Sequence, residues 1–275
     1  MTNQQKTPPV SALFQKQSER ERANAPVAVM DSGAGGICVL QKIRALLPRE
    51  DLLYFGDSAN APYGERSPDE VRALVEGHAE RLLEKAKALV LACNTATALA
   101  IEALRSAYPD TPIVGMEPAI RPALSVCEHP RILVLATGIT LQGARFASLR
   151  SGHEGEAEIL PVCAPEIVRL VETGRAESEE MLHYVEGVLA PYRHPRPDAV
   201  VLGCTHFPFA KKAICAVLGE GIPIFDGVEG TARQLARTLE AQGLLNQSPK
   251  RGAVTLTSSG ERMLPLYAGL LFAEE

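Results

Sequence analysis

Residues 88–96 read Ala-Leu-Val-Leu-Ala-Cys-Asn-Thr-Ala, and residues 200–206 read Val-Val-Leu-Gly-Cys-Thr-His. Each is an unbroken apolar run, then a cysteine, then small polar residues that open into a helix-like or polar stretch. Unbroken runs of this length are expected for parallel strands covered on both faces, where neither side can be polar. Further candidate strands, most of them continuous apolar runs as well, lie at Val27–Met30, Leu52–Phe55, Ile113–Val114, Ile132–Ala136, Ile159–Val162, Ile222–Phe225 and Val254–Thr257. Helical patterns lie between the runs. Ser67-Pro68-Asp69-Glu70 is a capping box with proline at the first helical position, opening a helix to about Lys87. Thr95–Ala107, Thr140–Arg150, Ser178–Ala190 and Thr231–Gln242 are further helix candidates. Regular alternation of strand and helix predicts an α/β fold with parallel sheets.

The two cysteine segments belong to a weak internal repeat. Ala28-Val29-Met30-Asp31-Ser32-Gly33 resembles Val134-Leu135-Ala136-Thr137-Gly138, a strand running into a small polar turn. The spacing from turn to cysteine is 62 residues in one half and 67 in the other. The expected architecture is two pseudo-symmetric, doubly wound α/β domains whose parallel sheets face one cleft. Ligands of open α/β sheets bind outside the carboxyl ends of the strands, so both cysteines fall on that cleft. The expected boundaries are residues 26–116 plus 226–275 for the first domain and 117–225 for the second. Residues 1–25 are polar and aperiodic and read as a disordered or loosely docked extension, with order beginning at Val27.

Composition narrows the function classes. The 275 residues carry 28 Lys and Arg against 33 Asp and Glu, a net charge of −5, which gives no electrostatic footprint for nucleic acid or an acidic membrane surface. The longest stretch free of charged residues, Ala88–Ile101, has 14 residues, too short for a spanning helix. No secretory signal pattern is present, which points to the cytoplasm and reduced thiols. The six cysteines form no C-x-x-C pair, so a zinc knuckle or redox motif is disfavoured.

Cys93 and Cys204 are the chemical candidates. A lone cysteine after an apolar strand is usually buried filler, but two in matching contexts point to reactive thiols. A thiol at a helix N-terminus has its pKa lowered by the helix dipole. His206, two residues beyond Cys204, is a charge partner or proton relay. Cys38, Cys127, Cys163 and Cys215 sit in helix-like or strand-like contexts and read as filler. The glycine-rich Asp31-Ser32-Gly33-Ala34-Gly35-Gly36 offers backbone N–H groups as an anion cradle. It is neither a dinucleotide fingerprint nor a P-loop, and although Asp57 could mimic a ribose-binding acid, nucleotide binding is disfavoured. Asp31 reads either as a helix cap or as an acid beside a thiol. The loop Asp57–Ser67 places Tyr63 and Gly64 at a strand end. Cys204 and His206 find no second ligand pair at zinc spacing, so no metal is expected.

Together these segments resemble the glutamate racemases of the cofactor-independent aspartate/glutamate racemase superfamily. The matching pieces are Asp31–Gly36, Tyr54-Phe55-Gly56-Asp57-Ser58, Pro62-Tyr63-Gly64, Ala92-Cys93-Asn94-Thr95-Ala96, Leu170-Val171-Glu172 and Gly203-Cys204-Thr205-His206-Phe207-Pro208, in family order over about residues 26–245. The resemblance implies Cys93 and Cys204 as the two proton donors and acceptors, assisted by Asp31, Glu172 and His206. It implies glutamate binding by Asp31, Ser32, Tyr63, Gly64, Asn94, Thr95, Thr205 and His206, no cofactor, and D-glutamate destined for peptidoglycan. Cys38, Ile139 and Ala164 depart from the family's usual residues, and none of these removes a catalytic group. The long N-terminus and Val114–Ala119 resemble a subgroup in which some members are activated by a muramyl-peptide nucleotide, and an activator site is expected at residues 1–25 and near Met116–Ile120. A homodimer is also compatible with the resemblance. The alternatives are a racemase of another acidic amino acid, a one-cysteine decarboxylase, which the second cysteine opposes, and a catalytically silent binding protein using the same cleft.

Overall fold

In the computed structural model, residues 21–272 are described. Nine strands form among them: β1 Val27–Asp31, β2 Leu52–Gly56, β3 Ala88–Leu91, β4 Ile113–Gly115, β5 Arg131–Ala136, β6 Glu158–Cys163, β7 Ala199–Gly203, β8 Ile224–Asp226 and β9 Val254–Ser258. Each coincides with an expected run, give or take one or two residues. They build two wholly parallel sheets, ordered β4-β3-β1-β2-β9 and β6-β5-β7-β8. Read from the other edge, the second sheet is β8-β7-β5-β6. It therefore repeats β4-β3-β1-β2 strand for strand, and β9 is an addition beside β2. Cys93 follows β3 and Cys204 follows β7, which are equivalent strands of the repeat.

Each sheet is covered on both faces, and side-chain alternation decides which helix meets which residue. Val27 and Val29 join Tyr54, Val90 and Val114 in one core, under the helices Ile37–Leu46, Val228–Ala241 and Leu264–Phe272. Ala28 and Met30 point the other way, into a core with Leu89, Leu91, Val71, Val75 and Ile101 from the helices Pro68–Leu83 and Asn94–Ala107. The second sheet is sandwiched likewise. Leu133, Leu135, Val200 and Leu202 meet the helices Glu166–Glu172, Glu179–Leu189 and Lys211–Leu218, while Ile132, Val134 and Val201 meet Ile120 and Phe146. Full burial of each such aliphatic side chain contributes roughly 1.5–3 kcal/mol, which is why β1, β3 and β7 tolerate no polar residue before their carboxyl ends.

The Ser67 capping box forms with both reciprocal hydrogen bonds, and its helix ends at Leu83, four residues short of the expected end. The single helix expected over Thr140–Arg150 is instead two, Gly138–Gln142 and Ala144–Ser151, because Gly143 between them is extended at φ −68°, ψ 146°. The N-terminal reading needs a further correction. Residues 21–24 are helical and Ala23 is buried. The cause is Lys87, whose wholly buried ammonium pairs with Glu50 at 2.5 Å and donates to the Ala23 carbonyl. A buried cation requires such acceptors, and they tie the end of the extension to the base of β1. The rest of the extension lies outside the described residues. Two of the four cysteines read as filler, Cys127 and Cys163, are exposed, Cys163 because it ends the edge strand β6. Among the described residues no helix is long and apolar enough to cross a membrane.

Candidate functional site

The carboxyl ends of the two sheets meet, and side chains cross from one half to the other. Cys93 and Cys204 are both buried there, and Cys204 is close enough for its charge to be felt at Cys93. Cys93 occupies the N-cap position of Asn94–Ala107, with its Sγ 3.8 Å from Ser32 Oγ. The expected lowering of its pKa does not prevail. Burial, reinforced by the charge of Asp31, pushes the thiol up to about 12, against the backbone N–H of Ala96 and the Ser32 hydroxyl. Cys204 Sγ lies 3.8 Å from His206 Nδ1. On the far side of the ring, His206 Nε2 meets Glu172 Oε1 at 2.6 Å. Burial alone would lower the histidine's pKa. Cys204 and Glu172 reverse this and raise it well above its ordinary value. Glu172 is in turn held below the ordinary carboxylate value, because His206, the Ala34 N–H and the Ser58 hydroxyl outweigh its burial.

The glycine loop acts differently from an open anion cradle. Gly33 and Gly36 give their N–H groups to Asp31 Oδ2 at 3.2 and 2.9 Å, and Ala34 gives its own to Glu172 Oε1 at 2.6 Å. The protein's own carboxylates already occupy these donors. The glycines are needed for close approach. A Cβ on Gly33 would collide with the Glu172 carboxylate, and one on Gly35 would stand 2.5 Å from His206 Nδ1 and 2.6 Å from Thr205 Oγ1. Asp31 is wholly buried, accepts from Thr205 Oγ1 at 3.2 Å, and is raised in pKa by that burial. Asp31, Ser32, Glu172, Thr205 and His206 thus converge from three separate stretches of chain.

Asn94 and Thr95 sit beside Cys93. Thr95 Oγ1 lies 3.0 Å from Thr137 Oγ1 and 3.4 Å from Thr140 Oγ1, a hydroxyl cluster that joins the two halves. Neither threonine of the second half was singled out from sequence; the turn at Thr137 was the only signal. Asn94 is 3% exposed, yet its Nδ2 and Oδ1 have no hydrogen-bond partner among the described residues. Buried polar atoms are normally satisfied, so this amide, beside a thiol, is open to a partner from outside the described residues, a ligand or a water.

Tyr63 and Asp57 are joined to each other. Tyr63 is buried and donates its hydroxyl to Asp57 Oδ2 at 2.7 Å. Asp57 also accepts from the Asn60 amide at 3.0 Å and pairs with His78 Nε2 at 3.0 Å. A fully buried, fully engaged Asp57 cannot serve as a ribose acid; it organises the loop that carries Tyr63 and Gly64. Gly64 lies against Thr137 of the other half, and Glu65 next to it pairs with Arg169 at 2.6 Å. Among the described residues no group of three or more His, Cys, Asp or Glu side chains is arranged to hold a metal ion.

Fold and site together define a class: a duplicated parallel α/β protein that brings two buried thiols, one of them backed by a histidine–carboxylate pair, to one closed interface. The family model described as Asp/Glu/Hydantoin racemase matches residues 27–235. The glutamate racemase of Clostridium perfringens is 41% identical over 239 residues, covering 86% of this chain and 92% of the relative. Among solved structures, the glutamate racemase of Thermus thermophilus in complex with β-chloro-D-alanine superposes with a TM-score of 0.72 at 36% identity, covering 90% of this chain and 92% of the other. The Escherichia coli glutamate racemase, in complex with L-glutamate and the activator UDP-MurNAc-Ala, gives 0.77 at 30% identity, covering 90% and 95%. The chain belongs to the Asp/Glu/hydantoin racemase family and, within it, to the glutamate racemases.

Proposed function

We infer that the protein interconverts L- and D-glutamate without a cofactor, by a two-base mechanism, and so supplies D-glutamate for peptidoglycan. The observation that carries this reading is the pair of buried thiols at equivalent strand ends, each with its own proton-handling neighbours. Racemisation takes the Cα proton from one face and returns a proton to the other. Two acid/base groups on opposite sides of one carbon do this without turning the substrate over. In this reading Cys93 and Cys204 exchange the protons, one as base and one as acid, with the roles swapped for the reverse direction. Asp31, Glu172 and His206 assist, and the raised pKa of His206 lets an imidazolium N–H face Cys204. Asp31, Ser32, Tyr63, Gly64, Asn94, Thr95, Thr205 and His206 bind the substrate's amine and carboxylates, with Gly64 held opposite Thr137 of the other half. Burial of the site keeps water from the carbanionic transition state, where fixed dipoles act in low dielectric.

The test is incubation of the purified protein with L-glutamate in D2O. Loss of optical rotation together with Cα deuterium in the D-product supports the reading. Binding of glutamate with neither change would leave a silent binding protein and overturn it.

The reading extends to regulation by a muramyl-peptide nucleotide. It is supported by a groove of about 520 Å³ at the crossing between the sheets, lined by Glu117, Arg121, Gly227 and Arg233 among others. An activator there would act by favouring the catalytically competent arrangement of the two halves.

A further inference from the structure

The helix Leu264–Phe272 was not foreseen from sequence, and one of its side chains reaches the chemistry. Tyr267 is wholly buried, and its hydroxyl lies 2.5 Å from Ser58 Oγ. Ser58 Oγ lies 3.2 Å from Glu172 Oε2. The carboxylate's other oxygen faces His206, which faces Cys204.

The direction of this chain is determined. A carboxylate only accepts, so the Ser58 proton goes to Glu172. Ser58 has then spent its one proton, so the contact with Tyr267 requires the phenol to donate. Among the described residues the one competing acceptor on that side is Ser258 Oγ, farther away at 3.3 Å. Ser258 gives its own proton to the Gly56 carbonyl at 3.0 Å and cannot donate back. Burial pushes the Tyr267 phenol up to about 12, so it keeps its proton at any working pH. The surroundings are built for the contact. A Cβ on Gly56 would overlap the Tyr267 hydroxyl, and the Tyr267 ring packs edge-on against Tyr54 with centroids 5.4 Å apart. Tyr54 in turn donates to the Gly33 carbonyl at 2.6 Å, beside the peptide that approaches Glu172.

We propose that Tyr267 is a positioning residue for racemisation: by donating to Ser58 it directs the Ser58 proton onto Glu172 and so fixes the carboxylate that orients His206 beside Cys204. This rests on the acid/base roles inferred above for Glu172, His206 and Cys204. Tyr267 touches no reacting atom; it acts through Ser58. The other titratable groups facing this network are Asp31, which feels both His206 and Glu172, the thiols Cys93 and Cys204, and Tyr54.

The experiment compares Tyr267→Phe, Ser58→Ala, the double variant and Glu172→Gln with the full-length protein, measuring kcat, KM for each glutamate enantiomer, the pH dependence of kcat/KM and Tm. Phenylalanine keeps the ring packing and removes only the donor. The expected result for Tyr267→Phe is a fall in kcat of about 3- to 10-fold with KM changed less than about twofold, the scale of one neutral hydrogen bond. Glu172 loses support for its charged form, so the acidic limb should move up by about half a pH unit. Ser58→Ala should do the same, and the double variant should be no worse than Ser58→Ala, since the two act in series. Unchanged kcat and an unmoved acidic limb in Tyr267→Phe overturn the proposal, as do additive losses in the double variant. If the phenylalanine variant fails to fold, Ser58→Ala with an unmoved limb overturns it equally. Glu172→Gln separates the two readings. If it is crippled while Tyr267→Phe is normal, only the positioning role falls; wild-type activity in Glu172→Gln refutes the acid/base assignment and this inference with it.

Discussion

Replacing Asn94 with alanine should make the free protein more stable and the enzyme worse. Asn94 opens the helix Asn94–Ala107 and is 3% exposed, with both amide atoms unpaired. An unsatisfied buried polar group costs about 1–3 kcal/mol, which alanine relieves. Alanine is also the better helix former by about 0.5 kcal/mol. Against these stands the lost packing of a small side chain, about 1 kcal/mol. The net expectation is a gain of about 1 kcal/mol, or a Tm higher by about 2–4 °C for a protein of this size. Catalysis should move the other way. A hydrogen bond from the amide to a charged substrate group is worth about 1.5–3 kcal/mol, so kcat/KM should fall roughly 10- to 150-fold. Two assays decide it: thermal unfolding with and without glutamate, and initial racemisation rates by circular dichroism. Glutamate at 100 times its Kd should stabilise the wild type by about 2.7 kcal/mol, and the variant at the same concentration by distinctly less. A variant that unfolds several degrees lower and turns over normally would refute the reasoning, because Asn94 would then be a satisfied structural residue.

Cys93→Ala and Cys204→Ala should each abolish racemisation in D2O with circular dichroism of the fold retained, whereas Cys215→Ala should be nearly silent; wild-type turnover in either of the first two ends the two-base reading. The acid side of the stability profile should carry the signature of Asp57 and Glu172. Both are held below their ordinary values, Asp57 by His78 and other donors that overcome its burial, so the stability they contribute is present above about pH 4.5 and lost as pH falls. Asp57→Asn should therefore be less stable near neutrality and show a flatter fall in urea midpoint between about pH 4.5 and pH 2; an unchanged slope would contradict the hydrogen bonding described. If the groove at Glu117 and Arg121 takes a muramyl-peptide nucleotide, initial rates should rise on its addition and Arg121→Ala should lose the rise while keeping the basal rate; equal rates with and without the nucleotide in the wild type would remove regulation from the reading.

Local physics made much of this protein legible in one dimension. Strands buried on both faces must be apolar throughout, so the central strands β1, β3 and β7 could be read from runs such as Val27–Met30 and Val200–Leu202. The Ser67 capping box is likewise encoded within four residues. The repeat that pairs Cys93 with Cys204 survives as a shared strand–cysteine–polar order, because both positions sit at the same point of the same topology. What sequence could not settle was the use of each group, since that depends on neighbours far along the chain. The glycines at 33 and 35 read as an anion cradle until Glu172 and His206 are seen pressed against them. Asp57 has by position alone no assigned partner, and only the fold shows Asn60, Tyr63 and His78 claiming it. Cys93 carries the local mark of an activated thiol, but burial and the charge of Asp31, contributed by a different strand, set its pKa. Tyr267 had no local mark at all. It lies 95 residues from Glu172 in the chain and meets it only through Ser58, because packing of the last helix on the first sheet brings the three together. Period and capping act over a few residues and can be read from them; hydrogen-bond partners, burial and charge neighbours are chosen by the tertiary fold.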